Sequence, residues 1–184
     1  MNAYIVTEGA FDKQLLEKVL AEEVRQGLKI VSASGKSGAQ SLARSLVAER
    51  RVPVGLVLDA DTTTERLIRE QRLVASDLLA MASPGIPTRV FMAVPTIEIL
   101  FFTDRGLLDR LVGGRVSAPL RAAGKFNPKG TLGQIVRGAR TLRDLSDIMR
   151  GLKSADAQKM RRHPLIREIM EFLEASAPAS TSRI

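Results

Sequence analysis

The chain of 184 residues contains no cysteine, no tryptophan, one histidine and one tyrosine. Without cysteine there is no disulfide, thiolate nucleophile, zinc ribbon or iron–sulfur cluster. With His163 as the sole histidine, a His-rich zinc site is excluded, and a Ser-His-Asp triad would have to draw on that one residue. Its place between Arg162 and Pro164, just before a predicted helix, suits a cap or surface role. Long hydrophobic runs are also missing. None approaches the ~18 apolar residues of a membrane span. Glu8 and Asp12 interrupt the first apolar run, and no basic segment precedes it, so no signal peptide is expected. The expectation is a cytoplasmic protein with no membrane partner. Any chemistry falls to carboxylates, Lys/Arg and a hard cation such as Mg²⁺ or Mn²⁺.

Hydrophobic residues make up 45% and charged residues 26%, as in a globular domain with a core of its own. The net charge of +8 is unevenly placed. Residues 1–100 hold 12 basic and 12 acidic residues, whereas 101–184 hold 16 and 8. Between Arg110 and Arg143 stand Arg110, Arg115, Arg121, Lys125, Lys129, Arg137, Arg140 and Arg143, with no acid among them. Such a stretch suits a polyanion, nucleic acid first, although charge runs also serve as plain solvated surface.

The first 94 residues alternate between two periodicities. Ala3–Val6, Leu28–Val31, Val52–Leu58 and Arg89–Val94 are predicted strands. Between them, helices are predicted over about 10–26, around Leu42–Glu49 after a glycine turn at 35–38, and from Thr62 to Met81. Thr62 with Glu65 forms a capping-box signature. This β-α-β-α-β-α-β order predicts an α/β fold with a parallel sheet and helices on its faces. Pro95 is expected to start a helix, residues 113–140 to form loops or short helices, and further helices to cover about 142–150, 154–162 and 164–173. The expected organisation is an α/β domain over 1–104, a basic and mainly helical extension over 105–174 packed on it, and a flexible tail over 175–184.

In an open parallel sheet, functional groups gather at the carboxyl ends of the strands. Glu8 follows the first strand; Asp59 and Asp61 follow the third. If the extended backbone continues, both aspartates point the same way. Acids crowded there repel one another, and a divalent cation removes that cost. Plainer readings exist. Asp61 can cap the next helix, and Glu8 and Asp12 can simply favour a helix N-terminus. Asp59, directly after an apolar strand, has the weakest alternative.

Thr7-Glu8-Gly9-Ala10-Phe11-Asp12 and Leu58-Asp59-Ala60-Asp61, on this β/α order, resemble the Toprim domain of topoisomerases, primases and related nucleases. The likeness covers residues 3–94 and is strongest toward OLD-type and stand-alone Toprim nucleases. Ser34-Gly35-Lys36-Ser37-Gly38 and Pro95-Thr96-Ile97-Glu98 fit the same relatives. The resemblance implies that Glu8, Asp59 and Asp61 are catalytic and bind Mg²⁺ or Mn²⁺. Glu98 is either a further metal ligand or an ordinary first-turn acid. Thr62-Thr63-Thr64 departs from the acidic residue and glycine that many members carry after the DxD.

A topoisomerase needs a tyrosine on the DNA, and Tyr4 sits in a predicted buried strand. Ser34-Gly35-Lys36-Ser37 lacks the earlier glycine of a P-loop, since Ile30 occupies that position. Any coupled ATPase would be separate. The expected function is Mg²⁺-dependent cleavage of phosphodiesters in nucleic acid, DNA ahead of RNA. Lys36 and the eight basic residues from Arg110 to Arg143 would hold phosphates. The alternative is a non-catalytic Toprim-like subunit that binds nucleic acid or a partner, in a phage-defence setting. Self-association is compatible with either.

Overall fold

A computed structural model describes residues 3–82 and 84–176; most of the expected tail, 177–184, lies outside them. Four strands, β1 (Ala3–Thr7), β2 (Leu28–Ser32), β3 (Val54–Asp59) and β4 (Thr88–Ala93), form one all-parallel sheet in the order β2-β1-β3-β4. The expected α/β class is therefore what the chain adopts. β1 and β3 are central and buried along their whole length, as their unbroken apolar runs require.

Side-chain alternation sends the strands' residues into two cores. Ile5, Val57, Phe91 and Ala93 face one layer; Tyr4, Val6, Leu56, Leu58 and Met92 face the other. The second layer is built by α3 (Gly35–Arg50) and α4 (Glu65–Ala82), which pack on each other. The first is built by α1 (Ala10–Val19) and by helices from the second half of the chain. Gly55 is needed here. A Cβ on it would lie 2.5 Å from Ile5 Cδ1 and 2.9 Å from Phe91 Cε2.

Several boundaries differ from the expectation. The first helix stops at Val19, because Leu20 and Ala21 turn extended and bury, and a short α2 (Glu22–Arg25) follows. The glycine turn at 35–38 belongs to α3, whose first residue Gly35 takes φ +83°. α4 begins at Glu65 rather than Thr62; the Thr62 hydroxyl accepts from Thr64 N within the loop at 3.1 Å. After β4, a cis Val94–Pro95 bond leads into a 3-10 helix over Ile97–Phe102, where a helix from Pro95 was expected.

The second half is helical throughout: α5 (Arg105–Val112), α6 (Ala118–Ala123), α7 (Pro128–Gly138), α8 (Leu145–Gly151), α9 (Ser154–Met160) and α10 (Pro164–Ala175). Asp104, Ser117, Asn127, Asp144 and His163 cap five of them through side-chain acceptors. α10 runs to Ala175, two residues beyond the last one assigned to it from periodicity. α9 packs on α1, α10 on β4, and α7 on the 3-10 helix, so these helices share the core of the sheet. Among the described residues, no helix is long and apolar enough to cross a membrane.

Candidate functional site

The carboxyl ends of β1 and β3 are adjacent because those strands pair directly, with Thr7 opposite Val57. Glu8 leaves β1 and turns its carboxylate across the sheet, where Oε1 accepts a 2.8 Å bond from the Asp59 backbone N–H. Its carbonyl accepts from Gly35 N at 2.9 Å, which fixes the start of α3 against the end of β1. The Thr7 hydroxyl donates to Gly9 O at 3.1 Å, holding the turn between strand and helix.

Asp59 is the last residue of β3 and only 8% exposed. Its Oδ1 accepts from Ile97 N at 2.9 Å, which ties the 3-10 helix to the strand end. Glu98, 3% exposed, accepts from the Thr96 hydroxyl at 2.6 Å. Asp12 caps the start of α1 by accepting from Gly9 N at 3.0 Å.

These four acids act on one another. Burial pushes the Asp59 carboxyl up to about 7, against the pull of the Ile97 N–H, and the charges of Glu98, Asp12 and Glu8 add to the rise. Burial likewise pushes Asp12 up to about 6, with Glu98 and Glu8 contributing. Glu8 is raised by burial, offset in part by the Asp59 N–H and by Lys36. Lys129, at the start of α7, lowers both Glu8 and Asp12 through its charge. The structure thus brings Lys129, from the basic stretch, within electrostatic reach of the acids.

Asp61 behaves differently from the expectation that it points with Asp59. Its backbone takes φ +54°, which ends the extended alternation, and its N–H donates to Pro95 O at 2.8 Å. The side chain is 63% exposed and pairs with Lys36 Nζ at 2.9 Å. Lys36 also donates to Gln71 Oε1 at 3.3 Å, and Gln71 donates to Ala60 O at 3.0 Å. Lys36 therefore touches a carboxylate of the expected metal pair.

The basic stretch divides in two. Arg110 binds Asp156 and donates to Gly151 O at 3.2 Å; Arg121 binds Asp109 and donates to Val116 O at 3.2 Å and Arg105 O at 2.6 Å. These two hold helices together. Arg115, Lys125, Lys129, Arg137, Arg140 and Arg143 are exposed and make no side-chain ion pair among the described residues. Lys159 pairs with Asp104 at 3.1 Å, and Arg161 donates to Val19 O at 2.6 Å. His163 serves as a cap, its Nδ1 accepting from Leu165 N at 3.3 Å, and burial lowers its pKa.

Asp12 and Thr96 complete the cluster, and neither was among the expected site residues. Asp12 closes the Thr7–Asp12 motif and Thr96 lies within the Pro95–Glu98 segment, so the sequence marks both segments without giving either residue a role. Every donor here is oxygen, as a hard divalent cation prefers, and the cluster's repulsion is what such a cation relieves. As placed, no three His, Asp or Glu side chains among the described residues stand close enough to hold a metal ion. The donor chemistry fits a cation, while the chelate is not closed.

No family model matches the chain, and no curated protein matches it in sequence. In structure it is similar to the C-terminal region of the Xanthomonas campestris pv. campestris OLD protein, with a TM-score of 0.53, 12% identity and 95% of each chain covered. That likeness extends over both the sheet and the helical second half. The four-stranded parallel sheet flanked by helices is consistent with a Toprim-like fold.

Proposed function

We propose that the chain is a Toprim-type nuclease of the OLD kind, cleaving phosphodiesters in nucleic acid, DNA ahead of RNA, with Mg²⁺ or Mn²⁺. The observation that carries this reading is Asp59. A carboxylate 8% exposed, pushed up to about 7 and set among three further acids is costly to keep without a cation. A bound divalent cation supplies polarisation of a phosphoryl oxygen and a more acidic water. Glu8, Asp12, Asp59 and Glu98 would hold it, with Asp61 at the rim.

The remaining residues orient the site. The Ile97 N–H fixes Asp59, the Asp59 N–H fixes Glu8, and the Thr96 hydroxyl fixes Glu98. These bonds leave the other carboxylate oxygens as donors. Lys129 brings positive charge to the same place, where a backbone phosphate would lie. The exposed Arg115, Arg137, Arg140 and Arg143 supply further phosphate contacts. Nucleotide hydrolysis, if coupled, would belong to a separate ATPase, because the 34–37 turn is not a P-loop.

A second reading, a non-catalytic subunit that binds nucleic acid or a partner, draws on the Lys36–Asp61 pair and the open chelate. Incubation of supercoiled and single-stranded DNA with the protein in Mg²⁺ or Mn²⁺ separates the two. Cleavage that is lost in EDTA and in Asp59→Asn supports the nuclease. Binding without cleavage, unchanged by Asp59→Asn, supports the subunit.

A further inference from the structure

Phe126 is the one exposed aromatic ring among the described residues, at 74%. It sits between α6 and α7, directly before Asn127, the N-cap of α7. A hydrophobic residue in that place ordinarily packs against the first turns of its helix. Phe126 is too exposed to do so.

The turn that carries it is fixed. Lys125 N donates to Ala122 O at 3.2 Å, and Phe126 N and Asn127 N donate to Ala123 O at 3.0 and 2.9 Å. Gly124 is buried against Phe102; a Cβ there would lie 1.9 Å from the ring. Asn127 Oδ1 accepts from Gly130 N at 3.1 Å. The ring is thus presented by an anchored backbone. Lys125 lies beside it, and Lys129 follows three residues on, a separation of at most about 10 Å along the chain. Lys129 stands in the first turn of α7, which packs on the 3-10 helix that carries Glu98.

We propose that Phe126 is a stacking platform for an unpaired nucleobase, so that the strand led to the acidic site is single-stranded or frayed. An aromatic face between two lysines matches base and phosphate together. Inside an intact duplex both faces of each base are covered by neighbours, so the ring has nothing to stack on away from the ends. This inference rests on the nucleic-acid reading above and adds the substrate's form.

The chain has no tryptophan, and its one tyrosine, Tyr4, is buried. Phe126→Trp therefore installs a single reporter at the proposed contact. In EDTA, to prevent cleavage, oligo-dT is expected to quench that tryptophan on binding. Phe126→Ala and Phe126→Leu are expected to weaken oligo-dT binding, followed by anisotropy of a labelled strand, by about 5- to 150-fold. Affinity for a blunt duplex of equal length is expected to stay within twofold (~0.4 kcal/mol). Unchanged oligo-dT affinity in both variants overturns the inference, as does an equal loss on the duplex. If the unmodified protein binds neither probe at low salt, the nucleic-acid reading itself fails.

Discussion

The Glu8 carboxylate accepts the backbone N–H of Asp59 across the gap between β1 and β3, at 2.8 Å. One acid thereby positions the next, and a third strand end joins through the Ile97 N–H on Asp59. These bonds constrain Glu8 and Asp59 to lie near Asp12 and Glu98 despite their mutual repulsion.

That constraint sets a pH dependence. Asp59 rises from an ordinary 3.8 to about 7 on folding, and Asp12 to about 6. A carboxyl whose folded pKa is the higher one binds more protons folded than unfolded between the two values. Its contribution therefore favours folding at low pH and declines as pH rises from about 4 to about 7. In EDTA the melting temperature is expected to be higher at pH 5.5 than at pH 8, by about 4–8 °C from Asp59 alone. Asp59→Asn is expected to flatten that slope. A melting temperature that climbs between pH 5.5 and 8, with Asp59→Asn indistinguishable, contradicts the cluster's electrostatics.

The Lys36–Asp61 pair gives a second test. Asp61 is 63% exposed, so losing the pair is expected to change stability by less than about 1 kcal/mol. Its effect on cation uptake is expected to be larger, because Lys36 occupies an oxygen that a cation would use. Lys36→Met is expected to take up Mn²⁺ more tightly and Asp61→Asn less tightly, measured by calorimetry. Weaker uptake by Lys36→Met would show that the lysine supports the site instead of competing for it.

The strands and the central pair of acids were legible because apolar runs such as Val54–Leu58 end abruptly in a charge. Asp12 stands in the Thr7–Asp12 motif, but a cap and a site ligand look alike until the neighbouring strands are known. Asp61 departs from the alternation because its backbone turns left-handed, with its N–H bonded to Pro95 O, a partner 34 positions away that local pattern does not reveal. α7 was masked by Gly130, Gly133 and Gly138, although Asn127, Pro128 and the spacing of Leu132, Ile135 and Val136 describe a capped helix. The basic stretch looked uniform because Asp156, which engages Arg110, lies 46 residues downstream.

That last division is testable residue by residue. Arg137→Ala and Arg140→Ala are expected to leave the melting temperature unchanged, and each to reduce the salt dependence of nucleic-acid binding by about one unit of slope. Arg121→Ala is expected to destabilise the fold by about 1–3 kcal/mol in urea unfolding, since it frees Asp109 and two backbone carbonyls. Equal effects of all three substitutions on binding and on stability would mean that the stretch is not divided in this way.

Mn²⁺ binding to the protein at pH 7.5, read from the free-ion paramagnetic resonance signal, tests whether Glu8, Asp12, Asp59 and Glu98 form a cation site. Saturable uptake is expected for the unmodified chain, weakened at least about tenfold in a folded Asp59→Asn variant. No uptake at millimolar Mn²⁺, or equal uptake by both proteins, would contradict it.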